Sequence, residues 1–120
     1  MAIYDMTDTV SRAIARFQRV PARKARLVAD LVRGKRVGEA LRIAKFANRP
    51  SAAPMVLNVL KSAVAGVDHA RYANPEQDLI VGEILVDDGP IMYRSRAASR
   101  GRGSRIRKRF CHIAVKLTEA

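Results

Sequence analysis

Arg94 to Arg109 form a run of sixteen residues near the C-terminus in which half are Arg or Lys and none is acidic. Ile106 is its only large aliphatic side chain. The chemistry open to such residues is anion binding. A guanidinium presents a planar fork of donors to phosphate oxygens, and its face stacks on unpaired bases. Gly101, Gly103, Ser99 and Ser104 let the backbone turn and approach a ligand closely. The eight cations are Arg94, Arg96, Arg100, Arg102, Arg105, Arg107, Lys108 and Arg109. On a polyanion they would release counterions, so binding is expected to be steeply salt-dependent. The same composition also suits an Arg/Gly linker that is disordered alone and orders on binding.

A second basic set precedes it: Arg12, Arg16, Arg19, Arg23, Lys24, Arg26, Arg33, Lys35 and Arg36. Arg23 and Arg26 are three apart and share one side of a helix. The bland reading is a solvated helix face. Against it stands the distribution of charge. Residues 1–49 hold twelve basic and four acidic residues, net +8. Residues 50–93 hold two basic and six acidic, net −4, and residues 94–120 hold nine basic and one acidic, net +8. Two basic regions thus flank a mildly acidic middle within a total of +12. This is the pattern of a chain with particular faces that meet phosphate.

Other chemistries find little support. His69 and His112 have no neighbouring Cys or carboxylate at metal-ligand spacing, so no metal and no cofactor is expected. Cys111 and His112 are adjacent on an expected strand and point to opposite faces. Asp87 and Asp88 likewise alternate, which argues against paired carboxylates for acid–base work. No phosphate-loop or dinucleotide fingerprint is present, and the chain does not read as an enzyme. Cys111 is the only cysteine, so no internal disulfide forms and a reducing cytoplasm is expected. Asp5 and Asp8 stand where a signal peptide would be basic and apolar. No apolar run approaches the length of a membrane span.

These residues need elements to position them. The 120 residues, 48% hydrophobic and without Trp, suit one domain with an aliphatic core. Loose alternation predicts a strand over Ala13–Val20, with Pro21 opening a helix. A stripe of Ala25, Leu27, Val28, Leu31 and Val32 predicts that helix to Arg33, with Gly34 as its C-cap. A second helix is expected over Gly38–Ala47, with Ala40, Leu41, Ala44 and Ala47 inward. A third begins near Ser51, since Pro54 fits only a first turn, and frays at Asp68 to Arg71. Leu79–Val86 and Phe110–Leu117 read as strands. Asp87-Asp88-Gly89-Pro90 looks like a turn, but Ile91-Met92-Tyr93 resumes at once, so a bulge within a longer arm is expected. Pairing of the two strands makes a hairpin with a tip near Ala98 to Gly101. Its arms would project on the order of 40 Å at about 3.3 Å per residue. The fold class read here is α+β: three helices packed on a small antiparallel sheet, with a long protruding β-hairpin. The globular part would be about 12–86 and 110–118, and the hairpin about 87–109.

Several blocks carry a resemblance. Pro21-Ala22-Arg23-Lys24-Ala25-Arg26-Leu27-Val28-Ala29-Asp30-Leu31-Val32-Arg33-Gly34-Lys35-Arg36-Val37, with Ala40-Leu41, resembles the signature of the ribosomal large-subunit protein L-twenty-two family. So do Val86-Asp87-Asp88-Gly89-Pro90-Ile91-Met92, and Gly101-Arg102 with Arg105-Ile106, Lys108-Arg109 and His112-Ile113. The resemblance covers about residues 12 to 118, in the family's order. It implies a small α+β domain with a long hairpin that binds large-subunit ribosomal RNA and supports early assembly. It also implies a globular part near the mouth of the peptide exit tunnel and a tip, Arg96 to Gly103, in the tunnel wall. That tip is Arg96, Ala97, Ala98, Ser99, Arg100, Gly101, Arg102 and Gly103, and hairpin changes in the family alter macrolide susceptibility. The implied partners are the large-subunit RNA, neighbouring ribosomal proteins and the nascent polypeptide, with no membrane and a monomer outside the ribosome. One departure is visible: bacterial members often carry Pro-Arg-Ala where this chain has Ala97-Ala98-Ser99.

The competing reading from another class is a DNA-architectural protein that lays a basic β-arm in the minor groove. Such proteins usually act as dimers with apolar wedges at the arm tip, and this tip has none.

Overall fold

A computed structural model describes residues 9–119, so the expectation drawn from Asp5 and Asp8 lies outside the described residues. The elements run β1 (Thr9–Gln18), α1 (Ala22–Val32), α2 (Val37–Phe46), α3 (Ala53–Ala65), a short α4 (Pro75–Asp78), β2 (Leu79–Ala97) and β3 (Gly103–Glu119). A tight turn at Ser99–Gly101 joins the last two. The three strands form one antiparallel sheet in the order β1-β3-β2. The fold is α+β, as the sequence predicts.

The core is aliphatic. From β3, Cys111, Ile113, Val115 and Leu117 face the helices in alternation and are fully buried. They meet Val28 and Val32 of α1, Ala40 and Ala44 of α2, and Val56, Leu60 and Ala63 of α3 within one cluster. The small residues let helices and sheet approach closely. Ser11 of β1 donates its hydroxyl to the Ala63 carbonyl at 2.6 Å, a buried tie between sheet edge and α3.

Four expectations shift. First, Leu27 and Leu31, placed in the inward stripe, are 49% and 51% exposed. The buried stripe of α1 is Ala22, Ala25, Val28, Ala29 and Val32, and the two leucines stand one turn apart on its flank. Second, α3 stops at Ala65 rather than near Asp68, where Gly66 caps it by donating to Ser62 and Val64. The Asp68 carboxylate then accepts the Ala70 amide and starts a turn. Third, Asn74-Pro75, a turn signal in the sequence, opens the single helical turn of α4. Fourth, β1 spans Thr9–Gln18 rather than Ala13–Val20, and its alternation breaks. Ala15 faces Ile113 and Gln18 faces Cys111, so three steps on β1 answer two on β3. In that bulge Phe17 takes a left-handed backbone, φ 56°.

The hairpin matches its expected outline. The β2–β3 ladder runs from Leu79↔Glu119 to Ala97↔Gly103. The register shifts between Asp88 and Ile91, at the expected bulge. The radius of gyration is 17.0 Å, against about 14 Å for a compact chain of this length. The principal extents are 64 × 29 × 21 Å, so the arm sets the long axis.

Candidate nucleic-acid interface

The arm is a two-stranded ribbon with no core of its own. Every residue of β2 from Ile91 to Ala97 is exposed, and of β3 from Gly103 to Arg109 only Ile106 is partly covered. Directly opposed residues share a face. The pairs Ile91↔Arg109, Tyr93↔Arg107 and Ser95↔Arg105 therefore give one face three arginines. The pairs Met92↔Lys108, Arg94↔Ile106 and Arg96↔Ser104 give the other face Arg94, Arg96 and Lys108. Arg100 and Arg102 stand at the tip. Among the described residues, none of these eight cations pairs with a carboxylate. Their contacts within the chain are weak ones: Arg105 lies over the Tyr93 ring at 4.4 Å, and Arg94 donates to the Tyr93 carbonyl. A ribbon resting on one surface would need cations on one face only. Cations on both faces and the tip suit a ribbon enclosed by polyanion.

The tip closes tightly. Arg102 donates its amide to the Ser99 carbonyl at 3.4 Å, and Ala98 donates to Arg102 at 2.6 Å. The two central residues, Arg100 and Gly101, have φ 61° and 70°. Two successive left-handed residues are the mark of a type I′ turn, whose twist fits the flanking strands. Gly at the second position costs nothing, whereas Arg at the first is an unusual choice, since Asn, Asp or Gly is preferred there. Ala97 makes the last rung of the ladder, and Ala98 and Ser99 start the turn.

The second basic set divides. Arg12 and Arg16 lie on β1, Arg19 follows it, and Arg23 and Lys24 lie on the first turn of α1; all five are exposed. Arg26 donates from Nε and Nη2 to the Val86 carbonyl at 3.2 and 3.0 Å, and lies 4.0 Å from Asp88. It clamps α1 to the arm root. Arg33 and Arg36 are further clamps. Arg33 donates to the Ile84 carbonyl at 2.9 Å and pairs with Asp30, while Arg36 donates to the Gln77 carbonyl at 2.6 Å. Gly34 and Lys35 exchange backbone hydrogen bonds with Val81. The structure thus gathers Arg16, Arg19 and Arg26 near the arm root, and sets Arg33, Lys35 and Arg36 toward the opposite end of the sheet.

Comparison with known proteins decides the family. The sequence profile described as "Ribosomal protein L22p/L17e" matches residues 13–118. The chain belongs to this ribosomal protein family. Among its relatives, the protein named "Large ribosomal subunit protein uL22" of Leptospira biflexa serovar Patoc (strain Patoc 1 / Ames) is 48% identical over 109 residues, 91% of this chain and 93% of that one. The protein of the same name from strain Patoc 1 / ATCC 23582 / Paris is 48% identical over 109 residues, with 91% and 92% covered.

Sequence reasoning passed over the aromatic members of this L22p/L17e chain's surface. Phe17 donates its amide to His112 Nδ1 at 3.0 Å, and the two rings meet edge to face at 4.9 Å and 87°. The signal was present as an aromatic between cations, Arg16-Phe17-Gln18-Arg19. A cleft of about 760 Å³ lies at the other end of the sheet, among residues that include Asp68, Tyr72, Glu83, Lys116 and Glu119. Lys116 is buried on the centre strand in register with Arg12 and Glu83. Tyr72 donates its hydroxyl to Glu119. That hydrogen bond, reinforced by desolvation, raises the phenol above its ordinary range. A phenol so held keeps its proton at neutral pH, the reverse of an activated acid–base group. No cluster of metal-ligating side chains occurs among the described residues, and among them no helix is long and apolar enough to cross a membrane.

Proposed function

We propose that this chain is a structural constituent of the large ribosomal subunit, in the cytoplasm, that binds the 23S RNA and supports assembly. The observation that carries the reading is the arm: eight cations on both faces and the tip of a coreless ribbon, none paired with a carboxylate among the described residues. A two-stranded ribbon is marginal alone in water, and phosphate on either side would stabilise it. The chain acts as one unit. About 12–86 and 110–118 form the mount, and about 87–109 form the arm. Arg94, Arg96, Arg100, Arg102, Arg105, Arg107, Lys108 and Arg109 contact RNA along the arm. Arg12, Arg16, Arg19, Arg23 and Lys24 extend that surface around its root, with Arg26, Arg33, Lys35 and Arg36 serving in part to brace it. The tip from Arg96 to Gly103 lines the peptide exit tunnel and meets the nascent polypeptide. Neighbouring ribosomal proteins contact the mount, and off the ribosome the chain is a monomer.

Two measurements test the reading. The protein is expected to co-sediment with large subunits through a high-salt wash. It is also expected to prefer large-subunit RNA over duplex DNA in direct competition at fixed salt. Preference for duplex DNA would instead support an architectural DNA-binding role.

A further inference from the structure

Phe17 is hard to explain as part of the mount. A bulky side chain on a left-handed backbone is strained, and Gly or Asn would hold the same bulge more cheaply. The ring gives little to the core, since the residue is 61% exposed. Yet it is held firmly. The bulge takes its amide out of the ladder, and His112 Nδ1 accepts that amide at 3.0 Å. The His112 ring also fixes the Phe17 ring at 87°. Arg16 and Arg19 flank it, both exposed and without a carboxylate partner among the described residues.

A comparison among the rings narrows the role. Phe46, Tyr72 and Tyr93 each have a cation of this chain over the ring, Lys45, Arg71 and Arg105 respectively. Among the described residues Phe17 has none, and beyond its contact with His112 it is 61% exposed, which leaves ring surface open to a flat external group. An open aromatic face between guanidinium groups is the arrangement that binds an unpaired nucleotide: the ring stacks on the base and the cations take the adjoining phosphates.

We propose that Phe17 is a stacking platform for an unpaired nucleobase at the root of the arm. The proposal rests on the RNA-binding reading above and adds a contact that does not depend on charge. The probe is 23S RNA purified from large subunits, titrated at several salt concentrations. Phe17→Ala is expected to weaken binding about ten-fold, with the slope of log affinity against log salt unchanged because no cation is lost. Phe17→Trp is expected to bind at least as tightly as the parent. Phe17→Gly relieves the backbone strain, so it is expected to fold at least as well as the Ala variant and still lose about ten-fold. Ultraviolet cross-linking in assembled subunits is expected to join the Phe17 peptide to a nucleotide.

If Phe17→Ala binds like the parent while loss of the arm weakens binding, the platform is refuted and the RNA reading stands. A cross-link to a neighbouring protein instead of RNA also refutes it. If the parent binds 23S RNA no better than duplex DNA, both readings fall.

Discussion

Arg100 and Phe17 are the two non-glycine residues with left-handed backbone among those described, and both stand on basic surface rather than in the core. Strain of this kind persists where a side chain is needed at that place. For Arg100, Asn is a better first residue of a type I′ turn. Arg100→Asn is therefore expected to slow hydrogen exchange of the Ala98 and Arg102 amides while weakening RNA binding. Faster exchange would show that the turn is built otherwise. Cys111 gives a test of the mount. Burial raises its thiol above the ordinary range, with the nearby Arg26 acting in the opposite direction. The folded state then holds its proton where the unfolded chain has lost it. This contribution is fully present below about pH 8.5 and declines as pH rises beyond that. The thiol is expected to resist a disulfide reagent until the protein unfolds, and Cys111→Ala is expected to flatten the alkaline loss of stability.

The hairpin was legible from local pattern alone. Alternation at Ile113, Val115 and Leu117 gave the centre strand, and the apolar restart after Pro90 gave the bulge. Gly34 was legible as well, following α1 with φ 77°. A Cβ there would meet nothing within 4 Å, so Gly34→Ala is expected to cost only the backbone term, about 1–2 kcal/mol in a denaturant melt. Leu60, fully buried on α3, is expected to cost about 2–5 kcal/mol on truncation to Ala. What local pattern missed depends on distant partners. The 3.6-residue period allowed a wide stripe on α1, but the sheet covers only its Ala/Val side and leaves Leu27 and Leu31 outside. Arg26 and Arg33 bond carbonyls 60 and 51 residues away, and nothing near them in sequence marks that. The β1 bulge is defined by His112, 95 residues from Phe17. On the arm itself, neutralising any one cation to Gln is expected to reduce the salt slope of RNA binding by about one while leaving the melting temperature unchanged.

Across the whole chain, charge and shape are aligned. The ladder begins at Leu79↔Glu119, where Asp68, Glu83 and Glu119 line one cleft with Arg71 and Lys116, and it ends in a tip with cations and no carboxylate. A molecule 64 Å long and charged this way is drawn arm first toward a polyanion. The mount keeps its own core, because Cys111, Ile113, Val115 and Leu117 complete it below the arm. The arm can therefore be removed without opening that core. The decisive measurement replaces Tyr93–Lys108 with an Asn-Gly turn joining Met92 to Arg109, and titrates 23S RNA with both proteins at several matched salt concentrations. The shortened protein is expected to melt cooperatively like the parent and to bind at least about a hundred-fold more weakly, with a shallower salt dependence. Equal affinity at the same salt would contradict the assignment of RNA binding to the arm.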